Sequence, residues 1–226
     1  MEVLDNIPVR LDKDRVIKRL RLGQRGVQVE GMLKELVDVT VNVARPKALY
    51  TVSYVNNKNG ASLEIDSIKF TSRVLRVNLD KVGRVFPYVA TCGKELGDVT
   101  TPSGDMLRTF CLDTIKGIVL EMAVGYLSAH IEQKYALKKI SHMNPGSLED
   151  WPLTQQKELF SLFGDVETLI GVRLTDSYAM QPLKSVSGIY FPTKITFESC
   201  QLCSRRKCVG RRAPYDPALV RKYGLS

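Results

Sequence analysis

Three of the five cysteines lie close together near the end of the chain, in the pattern Cys200-x-x-Cys203-x-x-x-x-Cys208. Thiolates are preferred ligands of zinc and of iron–sulfur clusters, and clustered cysteines in a cytoplasmic chain indicate metal binding rather than disulfides. The basic run 205–207 would lower the pKa values of these thiols and offset the charge of a cluster. The spacing therefore predicts a metal site with Cys200, Cys203 and Cys208 as ligands.

A closed structural zinc site needs a fourth ligand, which the cysteine pattern does not provide. Folding would have to bring one closer, and the candidates are Cys92, Cys111, His130 and His142. An iron–sulfur cluster could instead leave one iron open. The alternative is that the three cysteines bind no metal.

A second candidate site is the segment Asn144-Pro145-Gly146-Ser147. Pro145 presets φ, Gly146 accepts a positive φ, and the side chains of Asn144 and Ser147 can bond to their own backbone, so the segment is a turn. A turn of this kind lets a ligand approach the backbone closely. Such a turn is also an ordinary connection after a helix or strand. The motif alone does not decide between a ligand-binding turn and a plain connection.

A third stretch runs from Leu174 to Met180 and continues through Pro182 into Ser185-Val186-Ser187-Gly188. Small, hydroxylated and apolar residues alternate here in a way that is unusual for a plain strand. Together with Pro145-Gly146, the helix around 159–163 and Ile170-Gly171-Val172, this stretch resembles the activation (reactivation) domain of cobalamin-dependent methionine synthase. The close resemblance lies within residues 140–192. Thr91 to Leu96 is similar to a further segment of that family.

The resemblance implies binding of S-adenosylmethionine, which donates a methyl group to cobalt when an inactive cob(II)alamin on a partner is reduced. The implied ligand residues are His142, Asn144, Pro145, Gly146, Ser147 and Glu149. The implied residues that face the cobalamin are Thr175, Tyr178, Met180, Ser185, Ser187 and Gly188. After the loop, Glu149, Asp150 and Trp151 could contact ribose, sulfonium and adenine, or Trp151 could simply anchor the loop in the core.

Two positions depart from the family pattern, which has an arginine four residues before the glycine and a tyrosine just after it. In this chain these positions hold His142 and Ser147. A histidine is mostly neutral near pH 7, and losing a charge-assisted bidentate contact costs about 1.5–3 kcal/mol of binding free energy. Either other groups compensate, or the S-adenosylmethionine site is altered or absent.

Strands and helices follow one another without strict alternation, which predicts an α+β domain with a twisted, mostly antiparallel sheet and flanking helices. Pro87 predicts an edge position or a bulge for the strand around it. Thr101-Pro102 predicts the start of the main core helix, and Gly117 and Gly125 on that helix predict close packing of another element. We expect one domain over residues 1–193 and a basic, cysteine-containing tail over residues 194–226.

Charge and hydropathy exclude several classes of protein. The net charge is +9, but residues 200–226 hold seven basic residues against one acidic residue, so only +3 lies elsewhere. No set of base-stacking aromatic residues accompanies the arginines, which argues against a nucleic-acid binder. No apolar stretch is long enough to span a bilayer, and the first residues lack a secretory signal, so we expect a cytoplasmic protein. With His130 and His142 as the only histidines and no nucleophile elbow, a Ser/His/Asp hydrolase is unsupported.

Two functions remain. The first is an accessory protein, working with a cobalamin-binding methyltransferase or corrinoid protein, that promotes reductive remethylation with S-adenosylmethionine as donor. Because the tail lies beyond the resemblance, it suggests a stand-alone protein. The second is a carrier of zinc or an iron–sulfur cluster that transfers electrons to a corrinoid partner and has lost the S-adenosylmethionine site. Whether the chain is an enzyme by itself is left open.

Overall fold

Strand β6 (Arg84–Thr91) lies at the centre of an antiparallel sheet of eight strands in the computed structural model, which describes residues 1–21, 29–208 and 210–225. Strand β10 (Ser185–Pro192) pairs with one edge of β6, and β7 (Ile140–Met143) pairs with β10. On the other edge lie first β3 (Ser53–Asn59) and then β2 (Lys47–Tyr50). The antiparallel α+β class predicted from the sequence is confirmed.

The remaining strands extend this sheet or form a small one. Strand β1 (Glu2–Leu4) pairs with β2, and β4 (Ser62–Ile65) and β5 (Ile68–Thr71) continue from β3. Gly60, with φ of 57°, lies between β3 and β4, so Asn59-Gly60 forms the turn of a β-hairpin there. Strands β8 (Arg173–Leu174) and β9 (Met180–Gln181) form a separate short pair.

The prediction that Pro87 marks an edge strand or a bulge is wrong, because β6 has partners on both sides. The carbonyl of Pro87 accepts a hydrogen bond from the Thr51 N–H at 3.1 Å, so the backbone of Pro87 points toward the break between β2 and β3. Because the pairing is interrupted at this break, the N–H that proline lacks is not needed for a hydrogen bond of a continuous ladder. A central strand therefore tolerates the proline.

Helices cover both faces of the sheet. They are α1 (Lys13–Leu20), α2 (Glu30–Val43), α3 (Arg73–Asn78), α4 (Lys94–Gly97), α5 (Met106–Lys134), α6 (Gln156–Ser161), α7 (Val166–Ile170) and α8 (Pro217–Lys222). Helix α3 is capped by Ser72, whose side chain accepts a hydrogen bond from the Leu75 N–H. None of the described helices is long and apolar enough to cross a bilayer.

Helix α5 differs from its predicted form in three ways. It begins at Met106 with Asp105 as its cap, and Pro102 lies instead in the turn before it. A Cβ atom added to Gly117 or Gly125 would meet nothing within 4 Å, so these glycines do not mark close packing in the described structure. Although α5 is the predicted core helix, its apolar residues Leu107, Phe110 and Tyr126 are exposed.

The sheet separates two packed layers. On one face, aromatic residues of the central strands, including Tyr50, Tyr88 and Tyr190, pack against the C-terminal half of α5. On the other face, Val89 and Ile189 belong to the largest core cluster, which also contains residues of α3, α6 and α7. The alternation of side chains along β6 and β10 assigns each residue to one of these layers.

The C-terminal segment folds back onto the second layer. Phe197 and Tyr223 are buried in the largest core cluster. The Tyr223 hydroxyl donates to Asn78 Oδ1 at 2.5 Å, and Arg73 Nη1 donates to the Gly224 carbonyl at 2.6 Å. Residues of the segment 194–226, predicted as a tail, thus contribute to the core.

Gly188 generates a stability prediction. A Cβ atom at this position would lie 2.5 Å from the Met143 carbonyl oxygen and 2.5 Å from Asn144 Nδ2. We expect Gly188→Ala to lower the free energy of unfolding by at least about 2 kcal/mol, because a packed strand cannot absorb such overlaps without shifting. Urea denaturation measures this.

Gly117→Ala is the matched control. The helix offers open space there, so the same substitution should raise the free energy of unfolding by about 0.5–1 kcal/mol. Equal effects of the two substitutions would contradict the packing described around Gly188.

Candidate functional site

The loop from Asn144 to Trp151 follows β7 and closes on itself. The Gly146 N–H donates to the Trp151 carbonyl at 2.7 Å, and the Ser147 N–H donates to the Asn144 carbonyl at 3.1 Å. The Ser147 hydroxyl donates to the same carbonyl at 2.7 Å. Gly146 has φ of 79°, which a glycine adopts without strain. The predicted turn is present, but these two backbone donors are used inside it.

Asp150 and Trp151, at the end of this loop, fasten it to the core. Trp151 is fully buried and meets Phe70 edge-on, with ring centroids 6.3 Å apart. The Asp150 carboxylate accepts hydrogen bonds from the Ser72 hydroxyl and from the N–H groups of Arg73 and Val74. The contacts therefore favour the anchoring role for Trp151 and use Asp150 to cap α3, whereas Glu149 is exposed.

Asn144 ties the loop to the sheet. Its Nδ2 donates to the Tyr88 hydroxyl at 2.8 Å and to the Ser187 carbonyl at 2.7 Å. The amide occupies space that a side chain at Gly188 would need. Asn144 and Pro145 thus have structural roles at the start of the loop, and Pro145 is buried.

His142 lies one strand position before the end of β7, next to stacked tyrosines. Its ring meets Tyr190 edge-on at 5.4 Å, and Tyr190 stacks on Tyr88 with centroids 4.4 Å apart. Burial lowers the pKa of His142 to about 4, and the positive charge of Arg212 contributes to this shift. Burial also raises the pKa of Tyr88 to about 12. At neutral pH, His142 therefore carries no positive charge that could hold a ligand carboxylate.

The C-terminal segment forms a wall opposite the loop. The Phe197 N–H donates to Ser141 Oγ at 2.9 Å, and Ser147 Oγ lies 3.4 Å from Ser199 Oγ. A cleft of about 620 Å³, which we call the loop cleft, lies between the two segments. Its lining residues are Gly146, Ser147, Leu148, Glu149 and Asp150 from the loop, and Leu202, Cys203, Ser204, Tyr215, Val220 and Leu225 from the C-terminal segment.

The residues predicted to face a cobalamin separate into two groups. Thr175, Tyr178, Met180 and Ser185 are partly exposed at and next to the β8–β9 pair. Ser187 and Gly188 are buried in β10 and present no surface to a partner. The Ser187 hydroxyl donates to Gln156 Oε1 at 2.7 Å, and Gln156 Nε2 donates to the Tyr178 carbonyl at 2.7 Å.

The three C-terminal cysteines do not assemble a metal site. Within residues 1–21, 29–208 and 210–225, no three side chains of His, Cys, Asp or Glu are grouped so that they could hold a metal ion. Cys200 and Cys203 are partly exposed, and Cys208 is exposed. Cys92 and Cys111, named as candidate fourth ligands, are buried in other parts of the core. The arrangement of these side chains does not fit zinc or an iron–sulfur cluster.

Several residues of this region were not identified from the sequence. Gln156, Arg212 and Tyr215 carry no local motif, and each joins the site only because distant segments meet. Gln156 is 2% exposed, although glutamine is usually a surface residue. An alternation pattern could have placed Tyr88 and Tyr190 on one face, but no sequence signal places Tyr215 opposite the loop.

The lowered pKa of His142 generates a pH prediction. Because the unfolded chain binds a proton near pH 6.5 and the folded chain only near pH 4, this group destabilises the fold as the pH falls from about 6.5 to about 4. Between pH 7 and pH 5 we expect His142 to account for a loss of about 2 kcal/mol in the free energy of unfolding.

His142→Gln removes the titrating ring and keeps a polar side chain. Urea denaturation at both pH values should show a smaller pH dependence for this variant than for the wild-type chain. The same pH dependence in both proteins would show that folding does not lower the pKa of His142.

Residues 145–198 match the family model of the vitamin B12 dependent methionine synthase activation domain. A solved structure, described as the crystal structure of the MetH reactivation domain bound to AdoHcy, matches with a TM-score of 0.60 and 18% sequence identity, over 84% of this chain and 73% of that chain. No curated protein matches the sequence. The resemblance to the methionine synthase activation domain is thus confirmed by the family match over residues 145–198, and the chain has the fold of that domain.

Proposed function

We propose that this chain is an accessory protein for the reductive remethylation of a cobalamin-dependent methyltransferase, and that it binds S-adenosylmethionine in the loop cleft. The observation that carries the proposal is the family match over residues 145–198, which includes the loop from Pro145 onward and strand β10. The matching solved structure holds AdoHcy, which is S-adenosylmethionine without its methyl group. Both ligands share the adenosine and amino-acid parts that such a cleft would bind.

The size and lining of the loop cleft suit this ligand class. Sites for small molecules usually have about 300–1,000 Å³, and this cleft has about 620 Å³. Tyr215 offers an exposed aromatic ring for an adenine, and Leu148 and Leu202 offer apolar contact. The exposed carboxylate of Glu149 can accept hydrogen bonds from ribose hydroxyls or the ligand ammonium group.

The amino-acid carboxylate of the ligand needs a positive partner. His142 does not supply one, since its ring is neutral at physiological pH. We propose that Arg212 supplies it. This residue is not among those that line the loop cleft; its guanidinium is more than half exposed and is close enough to His142 to lower the pKa of that residue. It already pairs with Glu198, with Nε and Oε2 3.3 Å apart, so a bound carboxylate would compete with that contact.

In this proposal the bound ligand, the two walls of the loop cleft and the turn between β8 and β9 have separate roles. The bound S-adenosylmethionine supplies the methyl group for the partner's cobalt. The loop and the C-terminal segment bind and orient the ligand, and the partly exposed turn with Thr175, Tyr178 and Met180 is the surface that we assign to the cobalamin partner. In this proposal the electron that reduces the partner's cobalt comes from a separate reductant.

Isothermal titration calorimetry with S-adenosylmethionine and with AdoHcy tests the binding. We expect both to bind, and Tyr215→Ala and Glu149→Gln each to weaken binding about tenfold, because a stacking contact or a charged hydrogen bond contributes about 1–3 kcal/mol. Asp38→Asn, a matched change of an exposed carboxylate on α2, should leave the affinity unchanged. Absence of binding by the wild-type chain, or equal affinities for all variants, would contradict the proposed site.

A further inference from the structure

We propose that Cys200 and Cys203 form a reversible dithiol–disulfide pair, with a low-molecular-weight disulfide such as glutathione disulfide as the oxidising substrate. The observations behind this proposal do not depend on S-adenosylmethionine binding. It also replaces the metal site that the cysteine spacing predicts, because the described cysteines are not grouped with a third ligand.

The backbone already holds the two cysteines at a distance that a disulfide can span. Cys200 lies in the 3-10 helix Ser199–Gln201, and the Cys203 N–H donates to the Cys200 carbonyl at 3.3 Å. A hydrogen-bonded turn of this kind keeps the Cα atoms of its first and fourth residues within about 7 Å. Disulfides usually join Cα atoms about 4.4–6.8 Å apart, so the bond requires little movement of the backbone.

A single guanidinium keeps this turn in place. Arg211 Nη1 donates to the carbonyls of Cys200 at 3.0 Å and Ala213 at 3.3 Å. Its Nη2 donates to the carbonyl of Cys203 at 3.2 Å and also to that of Arg205. These bonds use backbone oxygens and no sulfur, so they can persist when the thiols are oxidised.

The surroundings of the two sulfur atoms favour exchange at this pair. The Arg212 N–H points at Cys200 Sγ at 3.5 Å, a contact that stabilises a thiolate as nucleophile. Both side chains are partly exposed, whereas Cys92 and Cys111 are buried and out of reach of a soluble disulfide. Cys203 also lines the loop cleft, so oxidation would move its sulfur within the wall of that cleft.

The exchange balances in two steps. The Cys200 thiolate attacks one sulfur of glutathione disulfide, forms a mixed disulfide and releases one glutathione thiolate. Cys203 then loses its proton, attacks the Cys200 sulfur and releases the second glutathione thiolate. The two protons of the cysteine thiols end on the two glutathione molecules, and the protein loses two electrons to the small disulfide.

Mass spectrometry of the full chain can test the pair directly. After equilibration at a series of glutathione to glutathione disulfide ratios, free thiols are alkylated and the chain is digested with trypsin. Cleavage after Lys194 and Arg205 gives a peptide that contains Cys200 and Cys203, while Cys208 falls on a different peptide. We expect the first peptide to become two hydrogen atoms lighter and unalkylated at oxidising ratios, and dithiothreitol to reverse this.

Two variants make the result specific. Cys208→Ser should leave the midpoint of oxidation unchanged. Arg211→Ala should require more glutathione disulfide, shifting the midpoint toward that of the urea-unfolded chain, because the turn is then no longer held. The proposal would be overturned if the peptide stayed doubly alkylated at every ratio, if Cys208 formed the disulfide instead, or if folded and unfolded chains had the same midpoint.

Discussion

The side-chain amide of Asn144 occupies the space that a side chain at position 188 would need. The candidate site depends on this arrangement. Asn144 Nδ2 binds the Tyr88 hydroxyl and the Ser187 carbonyl, and a Cβ at position 188 would lie 2.5 Å from it. Buried polar groups need partners, so the amide, the phenol and the carbonyl stabilise one another only if this space stays empty. Two motifs more than forty positions apart in the sequence are therefore one structural unit.

The rest of the loop follows from this unit. With its first residue held against β6 and β10, the loop closes through its own hydrogen bonds and is fixed at its far end by Trp151 and Asp150. The C-terminal segment then packs against an established surface and adds the second wall of the loop cleft. The same segment brings Arg212 near His142 and Arg211 into the turn of Cys200 and Cys203. A ligand site and a thiol pair thus share one wall.

Local chemistry explains which features could be predicted from the sequence. The α+β class follows from the order of strands and helices along the chain, and the turn at Asn59-Gly60 follows from two neighbouring residues; both are present. The prediction for Pro87 was wrong because a central strand accepts a proline at the point where its partner strand changes. The position of that change in β6 is a property of the whole sheet. The prediction for Gly117 was wrong because a glycine on a helix can face open space as well as a closely packed element. The roles of Gln156, Arg212 and Tyr215 depend on chain segments that meet only after folding, so no local pattern could reveal them.

A double-mutant cycle between positions 144 and 188 tests the central claim most directly, with urea denaturation of the wild-type chain, Asn144→Ala, Gly188→Ala and the double variant. If the amide fills the space at Gly188, removing it relieves part of the overlap. The double variant should then lose at least about 1 kcal/mol less free energy of unfolding than the two single losses combined. Losses that add within about 0.5 kcal/mol would show that the two positions are independent, and would contradict the coupling of the loop to strand β10 through the Asn144 amide.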